Sequence, residues 1–229
     1  MATRINFKTI IAKYSKLGKS NVRLTQSTLY LTKPIQPTTT VYNFDVLETQ
    51  ASTLSANELR LNLNDEFIVA QMSMGLECSV LDKTGADTGA KFLLTYAPFE
   101  QDSANAFKIA NFYAGALQIS VNNIVYLDKY DTRRSQIVPT TNFNNFVAGT
   151  AGSTQPSIDW SKDSFYGNEP LLTLSGSKKN QIQISLPTAI STATFAVIDN
   201  LNITYSVKAD RVFWMSRGLN AQNGSVFQG

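Results

Sequence analysis

The side chains that most often do chemistry in proteins are scarce in this 229-residue chain. It contains no histidine, which removes the imidazole of Ser-His and Cys-His nucleophile pairs and a principal metal ligand. Its one cysteine is Cys78, so neither an intrachain disulfide nor a thiolate cluster for zinc or iron–sulfur can form. Cys78 lies in the alternating run Met72-Ser73-Met74-Gly75-Leu76-Glu77-Cys78 and reads as a buried structural thiol.

Carboxylates are what remain. Asp65-Glu66 and Asp128/Asp131 are the close pairs. Glycoside hydrolysis needs two facing carboxylates about 5–9 Å apart, whereas neighbours in a strand point to opposite faces. Both pairs therefore read as solvated turn residues. Asp82 and Asp87 lack the regular alternation of an EF-hand loop. The Gly-rich stretch Ala148–Gly152 lacks the lysine of a phosphate cradle. The charged run Asp128–Arg134 reads as an ion-pair network at a sheet edge or subunit contact. The chain is expected to be no enzyme, with no cofactor and no metal.

Five aromatic residues, Phe143, Phe146, Trp160, Phe165 and Tyr166, lie in or near a long polar loop over Thr140–Pro156. Exposed, they would stack sugar rings or fill a neighbour's pocket. Buried, they would pin the loop to the body. Both readings stand at this level.

The elements that would position these residues follow from pattern. Apolar residues make up 43% of the chain, enough for a core, and the length suits one large domain. Charged residues make up 16%, against roughly 25% in ordinary soluble domains, as expected of surfaces that neighbours cover. From Val41 onward the pattern predicts strands over Val41–Glu48, Asp65–Val80, Phe92–Ala97, Leu117–Val121, Ile124–Leu127, Leu171–Leu174, Gln181–Leu186, Thr194–Ile198, Leu201–Val207 and Arg211–Met215. In the second of these, Phe67, Val69, Met72, Met74, Leu76 and Cys78 keep period two only after a one-residue slip, the mark of a bulge. Lys83–Ala90 reads as a turn cluster. Asn122-Asn123 between two apolar runs predicts a tight hairpin, because asparagine tolerates positive φ. One body segment, Ser103–Tyr113, has helical spacing, with Gly115 placed to end it. The expected fold is all-β: a jelly-roll-like antiparallel β-sandwich with a short basic N-terminal helix or arm.

That arm stands out by charge. Seven basic residues precede Asp45 (Arg4, Lys8, Lys13, Lys16, Lys19, Arg23 and Lys33) and no acidic one does. The remainder carries 13 basic and 17 acidic residues, a net charge near −4. Ile5, Phe7, Ile10, Ile11, Tyr14 and Leu17 have near-helical spacing, with the lysines mostly opposite. The division expected is an arm and Pro/Thr-rich linker over residues 1–40 and a sandwich over residues 41–229. Arg4, Lys8, Ile10, Lys13, Tyr14, Lys16, Lys19 and Arg23 are the residues placed to dock on the chain's own body, reach a neighbouring subunit or meet phosphates. With few bulky apolar residues and no tryptophan, the arm does not suit a membrane surface. No apolar run reaches the ~18–20 residues of a membrane span, and no secretory signal is expected.

Tyr42–Glu48, Leu59–Phe67, Val125–Asp128 and Leu174–Pro187 resemble segments of structural proteins from phages of Bacteroidetes-type hosts. The resemblance covers about two-thirds of the chain, from near Val41, and rests on scaffold strands and turns. It implies a β-sandwich virion component, a self-assembling jelly-roll capsid protein with an N-terminal arm, assembled in the host cytoplasm. Its partners would be copies of itself, other virion proteins and, through the arm, packaged nucleic acid. It transfers no site residues. The rival expectation is a non-catalytic glycan-binding sandwich of the tail-associated or lectin-like kind, using the aromatic loop.

Overall fold

The computed structural model describes Lys8, Ala12 and residues 22–47, 58–94, 108–136, 165–198 and 204–223. Ten strands occur in chain order: β1 (Val22–Pro34), β2 (Val41–Phe44), β3 (Asp65–Leu81), β4 (Asp87–Leu94), β5 (Ala116–Val121), β6 (Ile124–Asp131), β7 (Tyr166–Ser175), β8 (Asn180–Ser185), β9 (Ala193–Ile198) and β10 (Thr204–Asn223). They form two antiparallel sheets, one with β1, β10, β3 and β4 in sequence plus β7 and β9, the other ordered β2-β8-β5-β6. The fold is an all-β antiparallel sandwich.

The larger sheet is four strands wide. β10 and β3 run side by side along its middle, from Ser206 opposite Leu81 to Gln222 opposite Asp65. The other edge of β10 is taken by β9 up to Ala209 and by β1 from Arg211 onward. The other edge of β3 is shared by β7, over Glu66–Met72, and β4, over Leu76–Leu81.

The inner faces of the sheets close on one core. Leu29 and Leu31 of β1, Phe67 to Cys78 at alternate positions of β3, Leu172 and Leu174 of β7, and Val212 and Trp214 of β10 meet Tyr42, Phe44, Leu117, Ile119, Ile182 and Ile184 of the smaller sheet. Period two allows this only if β3 changes phase. β10 pairs Gly218 with Val69 and Arg217 with Gln71, leaving Ala70 as an extra residue, and β7 breaks register at the same point, from Leu172 opposite Val69 to Gly167 opposite Gln71. The bulge returns Met72 to the face that Phe67 and Val69 occupy. A second bulge, at Asp210, lies between Ala209 opposite Cys78 and Arg211 opposite Glu77. It lets β10 run on as one strand where the local pattern predicts two.

The hairpin at Asn122-Asn123 is as expected, with φ of 51° and 63° at the two asparagines. The expected helix is shorter where described: residues 108–110 are helical and lead into a 3-10 turn, Asn111–Ala114. Residues 103–107 lie outside the described residues, as does the polar loop 140–156. The turn after β3 is tighter than expected. The Asp82 carboxylate accepts the Thr84 amide (2.8 Å), its hydroxyl (2.7 Å) and the Ala86 amide (2.9 Å), and β4 already begins at Asp87.

The boundary at residue 40 needs correction. All thirteen residues of β1 pair with β10, from Val22 opposite Asn223 to Pro34 opposite Arg211. Residues 22–34 therefore belong to the body, and Arg23 is a strand residue opposite Gln222. The polar run Arg23–Thr28 and the basic charge conceal a strand whose edge is supplied from the far end of the chain. Lys33 is paired as well, with its Nζ 2.6 Å from an Asp45 oxygen.

Gly218 faces the Ala70 bulge. A Cβ there would lie 1.8 Å from the Ile68 carbonyl oxygen, a backbone contact that no rotamer change relieves. Gly218→Ala is expected to cost about 3 kcal/mol or more. A urea titration will read this as a lowered midpoint, and an unchanged midpoint would mean that β3 does not bulge there.

Candidate functional site

Residues on the outward-pointing face of a solvent-exposed sheet are normally polar and wet. Here one of them is a buried acid. Glu77 of β3 points away from the core, opposite Arg211 of β10 and Leu93 of β4, yet it is only 1% exposed. One of its oxygens accepts the hydroxyl proton of Tyr30, from β1. The other accepts no hydrogen bond and lies 3.7 Å from Arg211 Nε. Arg211 Nε donates to Thr32 Oγ1 at 3.0 Å. Thr32 in turn donates its amide (2.9 Å) and hydroxyl (2.8 Å) to one Glu58 oxygen. Arg60 Nη2 meets the other Glu58 oxygen at 3.0 Å, with both side chains nearly inaccessible to solvent. The charges alternate along the chain of contacts, so no buried charge stands without an opposite one nearby.

The network clasps residues 58–61 across the open edge of β1. The Tyr30 amide donates to the Leu59 carbonyl at 2.8 Å and the Leu59 amide returns a bond at 3.0 Å. The Leu61 amide donates to Val46 O at 2.8 Å. Covering a sheet edge in this way removes a site for unwanted strand pairing.

Beside the clasp is a cavity of about 260 Å³ lined by Thr28, Tyr30, Leu59, Glu77, Lys91, Leu93 and Met215. Lys91 is held to Asp87 (2.6 Å) and Ser79 Oγ (2.5 Å). Burial, and then the bond to Glu77, push the Tyr30 hydroxyl far above the ordinary phenol range, so it acts as a donor and not as a base. Burial raises the Glu58 carboxyl, but the Thr32 bonds and Arg60 outweigh it and hold the group below the ordinary value. The groups lining this cavity suit binding and fixing of charge, and none is placed as a nucleophile.

The residues singled out from the sequence are distributed differently. Lys8 is exposed and helical; Arg4, Ile10, Lys13, Tyr14, Lys16 and Lys19 lie outside the described residues, as do Phe143, Phe146 and Trp160. Of the two readings open for the aromatic residues, Phe165 takes the buried one: it is 6% exposed, with the Arg217 guanidinium 4.0 Å from its ring centroid. Packing under a cation takes it out of any sugar platform. Tyr166, the first residue of β7, is 39% exposed. Asp65 accepts from Asn220 Nδ2 at 2.8 Å and Asp128 from Gln118 Nε2 at 3.2 Å. Asp131 accepts the Arg133 amide at 2.9 Å and its side chain at 3.0 Å, capping the 3-10 turn Thr132–Ser135. These acids serve turns and strand ends. Cys78 is fully buried, and burial raises its thiol well above the ordinary range.

Sequence reasoning passed over Tyr30, Glu77 and Arg211. Only pairing of β1 and β3 on either side of β10 brings them together, across sequence separations that carry no periodic signal. Glu77 within an otherwise apolar alternating run is the one local hint. The chain matches no protein-family model, no curated protein and no solved structure.

Two outcomes follow from the clasp. Tyr30→Phe leaves a buried carboxylate without its donor and should cost about 1–3 kcal/mol. In a double-mutant cycle with Glu77→Gln the losses should be less than additive, and additive losses would show that the two side chains do not interact. Glu58 has a depressed native pKa, so its stabilisation is complete above the unfolded value of about 4.3 and is lost as pH falls through the lower native value. Glu58→Gln should therefore flatten the acid limb of a plot of urea midpoint against pH. A limb as steep as in the parent would assign acid sensitivity to other carboxylates.

Proposed function

We propose that this chain is a structural subunit of a bacteriophage particle, a jelly-roll capsid protein that assembles with copies of itself. The strand order carries the reading. Setting aside β4 and β9, which pair only with one end of β3 and of β10, eight strands remain. In chain order, one sheet takes the first, eighth, third and sixth, and the other takes the second, seventh, fourth and fifth. That interleaving supports a jelly roll, an architecture used by viral capsid and lectin domains. Fold alone does not assign function. Three further observations favour the capsid use over the lectin use: the low charge of the whole chain, the concentration of basic residues before Asp45, and the burial of Phe165, which weakens an aromatic sugar platform.

On this reading the segment before β1 contacts a neighbouring subunit or packaged nucleic acid, and assembly takes place in the host cytoplasm. The body with its acidic excess offers a neighbour's surface to the basic segment. Its sparse bulky apolar residues do not favour insertion of that segment into a membrane.

The test is size-exclusion chromatography with negative-stain microscopy of the full chain at micromolar concentration. Rings, oligomers or shells are expected, with subunit contacts above ~1,000 Å². A monomer at every salt and pH, together with binding of simple sugars, would replace this reading with the lectin-like one. Removing residues 1–20, which stops short of β1, should leave the sandwich folded and impair assembly. If apolar docking dominates, Ile10→Asp should disrupt assembly more than Lys16→Gln. If phosphate contacts dominate, Lys8, Lys16 and Lys19 changes should weaken nucleic-acid binding together and flatten its salt dependence.

A further inference from the structure

One end of the sandwich gathers most of the large apolar side chains that protrude among the described residues. Ile124, Val125 and Tyr126, the first residues of β6, are 60%, 50% and 55% exposed, and Leu63, in the turn before β3, is 50% exposed. Three loops join there. The Gly176 amide donates to Asp65 O at 2.8 Å, and a Cβ on Gly176 would come within 2.4 Å of the Leu63 carbonyl oxygen. At the other end of the same loop, the Asn122 amide donates to Lys179 O at 2.8 Å and the Lys179 amide returns a bond to Asn122 Oδ1 at 3.1 Å. Leu63, the loop Gly176–Lys179 and the β5–β6 turn are therefore continuous. Lys178 and Lys179 are exposed on it. Each of the four apolar side chains is at least half exposed, and exposed apolar groups gathered at one place and rimmed by polar residues mark an interaction site.

We propose that this end of the sandwich binds the surface of an anionic lipid membrane, with Leu63, Ile124, Val125 and Tyr126 entering the headgroup layer and Lys178 and Lys179 meeting lipid phosphates. Shape argues for a fluid partner. Three consecutive strand residues are exposed, and neighbours along a strand point to opposite faces, so the tip projects with apolar groups on both sides. A rigid partner would have to wrap around it, whereas a lipid interface accommodates it without a fitted pocket. Tyrosine suits that depth, with an apolar ring and a polar hydroxyl.

Charge and backbone argue against a second copy as the occupant. A twofold contact through this end would bring Lys178 and Lys179 of both copies together. Among the described residues, four acids that another copy could meet are committed locally: Asp45 to Lys33, Asp87 to Lys91, Asp131 to Arg133 and Asp82 to its own turn. Edge pairing through β6 is obstructed too. Its register with β5 shifts on both sides of Leu127, and Lys129 has a φ of 49°, irregularities that keep an edge from extending into another sheet.

The experiment is flotation of the full chain with vesicles of pure phosphatidylcholine or with about one-third phosphatidylglycerol. A tryptophan reporter, Tyr126→Trp, separates the tip from the basic N-terminal segment, which would also be drawn to anionic lipid. Binding to the anionic vesicles is expected, with a blue shift of the reporter's emission relative to the parent. Lys178→Gln with Lys179→Gln should lower partitioning by about 25-fold, roughly fivefold for each lysine. Ile124→Ser should lower it further while leaving the thermal unfolding curve unchanged. The proposal is overturned if the reporter's emission does not move on binding, or if the lysine and Ile124 variants bind as the parent does. It is also overturned if these substitutions abolish self-association in a chain that ignores vesicles, which would assign the tip to a protein contact.

Discussion

The antiparallel pairing of β3 with β10 sets the phase of the whole molecule. Each strand contributes apolar side chains to the core on alternate residues, and each must do so along nearly its full length. A strict period of two cannot satisfy this, because Val69 and Met72 are three residues apart and both fully buried in the same core. The extra residue at Ala70 solves the problem against β10, which skips it, while β7 passes the same point with a wider break in its own register. Gly218 accepts the close backbone approach that results. The Asp210 bulge does the same further along, and its residue joins two neighbours: Ser79 Oγ donates to its carboxylate at 2.7 Å and the Ile35 amide to its carbonyl at 2.7 Å. A bulge of this kind is a register lock, because a slip of one residue would turn the core face outward.

The bulges also create the outer-face cluster. Past Ala70, the outward positions of β3 include Ser73, Glu77 and Ser79, all buried. Past Asp210, Arg211 faces the same way, opposite Glu77. A buried acid in that position is costly unless hydrogen-bonded and compensated. Tyr30, Arg211, Thr32, Glu58 and Arg60 provide that compensation from three separate stretches of chain. The clasp over β1 thus depends on strand phases set in the middle of the sheet.

The same architecture separates its two ends. Residues 62–64, 122–123 and 176–179 meet at one end, where apolar tips and the lysines Lys178 and Lys179 are exposed. The turn after β3 lies at the other, with its acids held in local bonds. Two sheet edges are guarded, β1 by the clasp and β6 by irregular backbone, which disfavours open strand pairing there.

Local chemistry made several parts of this structure legible. The lack of histidine and the single cysteine restrict site chemistry whatever the fold. The Asn122-Asn123 hairpin follows from which residues tolerate positive φ, and the slip after Val69 is written in the spacing of apolar residues along β3. Each of these depends on neighbours within a few positions. What only the tertiary structure decided depends on pairing across the chain. β1 is mostly polar in its first half and becomes a strand because β10, from the far end of the sequence, supplies a partner for every residue. Glu77 lies outside the core by alternation, and its burial comes from what packs over that face. Phe165 could have been a surface ring or a packed one, and Arg217, on a different strand, made it the latter. Periodicity reports which face of an element is apolar, but it does not say what will lie against the other face.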